Sequence, residues 1–163
     1  MATISLRKLE VKGTISGNSP EVGVFPEATG QSFKTGELVY LVSGKVTVAL
    51  SGSNYPTEIL GMALADASGT ADTDCLVAIA NSDTVFSGNI NGATTETAIT
   101  QVGLKCGITS TSNKWHVDVA DVTDLAVQIR RLSGYDAVGD TYGRVEFQIL
   151  PDISQLGPGE KTA

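Results

Sequence analysis

The sequence predicts an all-β fold: a small antiparallel β-barrel or sandwich with an extended N-terminal arm and minimal helix. Three observations lead there. Short apolar runs of strand length recur between clusters of turn residues. Apolar and polar residues alternate with period two through the last third of the chain. No proline occurs from Thr57 to Leu150, so strands in that interval keep their ladder donors.

In chain order, residues 1–30 read as an extended arm, punctuated by Gly13, Gly17, Pro20, Gly23, Pro26 and Gly30, with one short strand near Thr3 to Val11. An arm of this kind buries little of itself, yet Val22, Val24 and Phe25 are too apolar for a purely solvated tail, so contact with a partner surface is expected there. Residues 31–151 read as the β-domain. Leu38–Val42 is an apolar strand, Ser43-Gly44 a turn, and Val46, Val48 and Leu50 mark a return strand with one buried face. After a loop carrying Gly52, Asn54 and Pro56, a third run begins at Ile59. Its Gly61, having no Cβ, lets a neighbouring backbone come close. Cys75–Ala80 and Val85–Ile90 are further strands, split by the turn Asn81-Ser82-Asp83 and followed by Asn91-Gly92. Thr94–Val102 carries at most a turn or two of helix. Trp115/Val117/Val119, Leu125/Val127/Ile129 and Val145/Phe147/Ile149 mark three half-buried strands, the last two joined by the turn-rich loop Ser133–Gly143. Pro151 ends the last of these, and 152–163 reads as a flexible tail.

The 163 residues suffice for one ordinary domain, one that buries roughly 70 % of its unfolded surface. With 11 basic and 18 acidic residues the net charge is −7, and no lysine or arginine lies between Lys45 and Lys105. Such a surface repels phosphate, so direct nucleic-acid binding is not expected. No run reaches the length of a membrane span, and MATISLRKLEVKG lacks the apolar core of a secretory signal, so synthesis in a cytoplasm and no membrane partner are expected. Cys75 and Cys106 lie in apolar runs and read as buried free thiols.

No reactive constellation emerges. The single histidine, His116, sits on the polar side of its strand, and a surface or interface role outweighs catalysis. Zinc spacings and phosphate-cradling glycine motifs are missing. Asp66, Asp72 and Asp74, with Ser68, Thr70 and Thr73, could in principle hold calcium, but lack the spacing of an EF-hand loop and read first as turn residues. The expectation is a protein that is not an enzyme and takes no cofactor or metal.

The stretch ATGQSFKTGELVYLVSGKVTVAL, followed by ILGMALADASG and DTVFSGNI, resembles the core of the head decoration (cement) proteins of tailed bacteriophages. The segment KWHVDVADVTDLAVQIRRLSGYDAVGDTYGRVEFQIL is similar to their closing strands, so the resemblance covers roughly residues 28 to 150. It implies a β-domain bound outside an icosahedral capsid, across joints between major capsid proteins, acting as a dimer or trimer in the virion. The arm then serves as a strap, and the arm and the 133–143 loop are expected to make the partner contacts. Rival readings are a tail or baseplate β-domain, a metal-dependent enzyme built on the acidic cluster, and a glycan- or receptor-binding module using Tyr135 and Tyr142.

Overall fold

The computed structural model describes residues 1–50 and 55–156. Gly52 and Asn54 of the expected loop, and Gly157–Ala163 of the expected tail, lie outside the described residues. The fold is nearly all-β, two antiparallel sheets in a sandwich-like arrangement, and among the described residues neither sheet closes into a barrel. The strands are β1 (Glu10–Thr14), β2 (Val22–Pro26), β3 (Leu38–Val42), β4 (Lys45–Val48), β5 (Gly61–Ala63), β6 (Asp74–Ile79), β7 (Thr84–Asn89), β8 (Lys105–Thr111), β9 (Lys114–Asp118), β10 (Val127–Leu132) and β11 (Arg144–Ile149). Single 3-10 turns at Ile99–Gln101 and Pro151–Ile153 supply the helical content.

One sheet runs β1-β7-β11-β10-β8-β9, the other β2-β6-β5-β3-β4. The larger core straddles both: Leu38, Ile59 and Met62 from one side meet Phe86, Trp115, Ile129 and Phe147 from the other. A second, smaller core of Phe33, Val39, Val46, Leu60, Cys75 and Val77 lies against the opposite face of the five-stranded sheet. That sheet curls around it until Glu27, just past β2, bridges Val46 of β4.

Local chemistry explains the hairpins. Ser43 and Gly44 both adopt positive φ (49° and 79°), the two-residue turn whose twist suits antiparallel strands, and Val42 pairs with Lys45 directly across it. Ser112 and Asn113 do the same between β8 and β9 (51° and 63°). At Gly61, β5 and β6 come so close that any Cβ would overlap the Ala78 carbonyl oxygen, which is the close approach expected of a glycine in a strand.

The ends of the chain are more engaged than the sequence implies. The arm is extended, but β1 pairs with β7 in one sheet and β2 with β6 in the other. The first residues of the expected tail are docked: Ser154 is buried and bridges Ile59, and Gln155 bonds both Leu41 N–H (2.6 Å) and Leu41 carbonyl (3.1 Å). A single glutamine thus supplies the donor and acceptor that Leu41 would otherwise lack, something no periodicity reports.

Candidate interaction surfaces

β2 is the outermost strand of its sheet, and hydrogen bonds at its two ends fix which groups face outward. Glu21 carbonyl accepts from Ile79 N–H (2.9 Å), and Glu27 N–H donates to Thr73 carbonyl (2.9 Å). Odd-numbered residues therefore make the ladder to β6, and Val22 and Val24 point their N–H and C=O groups to the open edge. Their side chains are exposed too, at 48 % and 56 %. Val24 stands opposite Leu76 (46 % exposed), and Leu64 (36 %) donates its N–H to Leu76 carbonyl. Three neighbouring strands thus present one exposed apolar row beside unpaired backbone, with acidic Asp74 exposed at its margin. Leu64 and Leu76 are missed by sequence reading; a leucine amid buried neighbours looks like core until the sheet's covered face is known. Phe25, grouped with the valines by sequence, folds its ring back beneath Gly23 and packs on the smaller core.

The 133–143 loop makes a different surface. Asp136 receives Arg144 N–H (2.8 Å), Nε (2.9 Å) and Nη2 (3.0 Å), and these bonds hold its carboxyl below the ordinary aspartate range. Buried Asp140 accepts from Ala2 N–H and Ala137 N–H, while Ile4 N–H donates to Thr141 carbonyl and Thr141 N–H donates to Ala2 carbonyl. The start of the arm and this loop therefore bind each other. Tyr135 is 77 % exposed, with Lys12 Nζ 4.6 Å and Arg144 Cζ 5.7 Å from its ring centre. Tyr142 is half-buried, with φ 56° and its carbonyl accepting from Asn89 Nδ2. Of the two tyrosines, Tyr135 alone is freely presented.

The acidic cluster comes apart in three dimensions. Asp66 accepts from Thr35 and pairs with Lys34 at 3.5 Å; Asp72 pairs with Lys45 at 2.8 Å. The loop is organised instead by Glu27, 2 % exposed, whose carboxylate accepts from Gly69 N–H (2.6 Å), Ser68 N–H (2.9 Å) and Ser68 Oγ (3.0 Å). Among the described residues, no three His, Cys, Asp or Glu side chains come together as metal ligands.

His116 is not a surface histidine: it is 3 % exposed, and burial lowers its pKa. Alternation identifies the polar face of a strand but not whether other parts of the chain cover that face. Both cysteines are free and buried, and burial pushes the Cys106 thiol up to about 12, which makes it a poor nucleophile at neutral pH.

Compared with protein-family models, with curated proteins and with solved structures, the chain finds no match.

Proposed function

We propose that this protein is a structural clamp of a virion, a decoration or cement protein that seats on the outside of a phage capsid and bridges neighbouring major capsid proteins. The observation carrying the reading is the open edge of β2 with its exposed row Val24, Leu76 and Leu64. Exposed apolar side chains beside an unpaired strand edge are what proteins avoid unless a partner covers them. An extended capsid segment adds to β2 through main-chain hydrogen bonds, its apolar side chains cover the row, and basic residues match Asp74. The likeness of residues 28–150 to decoration proteins supports the same role. A clamp of this kind works without chemistry: many symmetric copies multiply a modest energy at each joint against the pressure of packed DNA.

The test is to mix the purified protein with empty capsids of the phage that carries it and to sediment them. The expected result is saturable co-sedimentation, weakened more than about tenfold by Val24→Asp or Leu76→Asp. Sizing the protein alone reports whether it reaches the capsid as a monomer, dimer or trimer. Capsids that pellet without it would end the proposal.

A further inference from the structure

The face of the six-stranded sheet turned away from the core carries an open trough of about 420 Å³ that the clamp role leaves unused. Its floor is Val85 of β7 and Glu146 of β11; Lys12 and Ile15 form one wall, and Arg130 and Arg131 of β10 the other. An adjoining hollow of about 350 Å³ shares Lys12, Arg131 and Glu146 and extends the trough to Tyr135.

Two irregularities shape it. The ladder between β1 and β7 passes from Val11–Phe86 to Gly13–Val85, so Lys12 is an extra, unpaired residue. The ladder between β10 and β11 passes from Ile129–Phe147 to Arg131–Glu146, leaving Arg130 as another. A bulge re-aims a side chain that regular pleating would place elsewhere. Here two bulges, on strands separated by two others, each deliver a cation to the walls of one trough. Glu146 is already paired with Arg131, and among the described residues neither Lys12 nor Arg130 forms an ion pair. Lys12, resting on the Tyr135 ring, and Arg130 thus line one trough without a carboxylate partner, and on a chain of net charge −7 they mark a place for an anionic group.

The rest of the lining narrows the ligand. A polyanion gains from a dense field of cations and is opposed by the Glu146 carboxylate. Neutral apolar ligands make no use of Lys12 and Arg130. A carboxylated sugar uses what lines the trough: its carboxylate meets Lys12 and Arg130, its hydroxyls donate to Glu146, and its C–H face lies against the exposed Ile15, while the Tyr135 ring beneath Lys12 holds that cation in place. We infer that this trough is a binding site for a carboxylated saccharide, separate from the β2 edge and on the other sheet.

The experiment is a titration of the full chain followed by backbone amide NMR, using glucuronic acid, glucose, inorganic phosphate and a glutamate-rich peptide as probes. Glucuronic acid is expected to shift the amides of Lys12, Arg130 and Tyr135 saturably, with an affinity on the order of 1 mM, and glucose to bind about tenfold more weakly. Lys12→Gln and Arg130→Gln, both at exposed positions, should each weaken glucuronic acid about tenfold while leaving the thermal midpoint in place. Tyr135→Ala should weaken it as well. The inference is overturned by an absence of saturable shifts, by phosphate or the peptide binding as well as glucuronic acid does, or by folded variants that bind like the parent.

Discussion

Gly61 shows how one position sets the distance between two strands. Alanine there would press its methyl into the Ala78 carbonyl, and that oxygen cannot retreat without breaking the pairing of Gly61 with Ile79 and of Met62 with Ala78. Gly61→Ala is expected to cost about 3 kcal/mol or more in urea unfolding. Gly44→Ala is the comparison: a Cβ there meets nothing within 4 Å, so only the positive φ of 79° is charged, roughly 1 to 2 kcal/mol. If the two variants lose equal stability, steric closeness at Gly61 is not the cause. Asp136 makes a second residue-scale case. Its carboxyl is held down chiefly by the Arg144 side-chain hydrogen bonds, so the folded state favours the ionised form. That contribution is present at neutral pH and fades as the pH falls below the ordinary aspartate value of 3.8. Asp136→Asn should therefore cost about 1 to 2 kcal/mol at pH 7, and the gap to the parent should close in acid. Glu37 acts with the opposite sign. Burial raises its carboxyl above 4.5, so its contribution is present below 4.5 and is lost as the pH rises through its folded value. A pH scan of Asp136→Asn whose deficit stays constant into strong acid would contradict the assignment.

At the scale of elements, much of the fold is legible in sequence. Leu38–Val42, the Ser43-Gly44 turn, the strand from Cys75 and the inward set Val145, Phe147 and Ile149 all follow from period two and turn chemistry. Each depends on neighbours within a few residues, which is the range over which local pattern is reliable. What local pattern misses is decided by distant chain. Leu125, expected in the core, is 39 % exposed, while adjacent Ala126 is buried and donates to Cys106 carbonyl; the regular ladder begins only at Val127. The bulges at Lys12 and Arg130 are equally invisible, because an extra residue exists only relative to the strand opposite. Arg130 and Arg131 are neighbours in sequence, yet paired against β11, Arg131 meets Glu146 and Arg130 is left over. The interaction surfaces divide the same way. Val22 and Val24 are legible as apolar residues in a glycine-rich segment, whereas Leu64 and Leu76 join them only through sheet register.

At the scale of the whole molecule, the N-terminal segment ties the two sheets together. β1 closes one edge of the six-stranded sheet, β2 closes one edge of the five-stranded sheet, and residues 15–21 connect them, with Ser16 bonded through both its N–H and Oγ to Asp83. Asp83 lies in the turn between β6 and β7, the partners of those same two strands. The segment therefore repeats, antiparallel, the path by which the chain crosses from one sheet to the other. Removing residues 1–26 would strip an edge strand from each sheet, uncover β6 and β7, and take away Leu9 and Phe25, which pack on the two different cores. Loss on that scale rivals the roughly 5–15 kcal/mol by which a domain of ordinary size is stable. A chain beginning at residue 27 is expected to lose cooperative thermal unfolding and near-ultraviolet dichroism, whatever its binding partner. Removing residues 1–3 takes away the Ala2 contacts to Asp140 and Thr141 but leaves both strands, so a cost of about 1 kcal/mol is expected. If the long truncation unfolds cooperatively near the parental midpoint, the segment is an appendage whose ladders carry little weight. In that case its effect on capsid binding can be read directly. If it fails to fold, the clamp must be tested with Val24→Asp and Leu76→Asp, which alter the exposed row and leave every ladder bond in place.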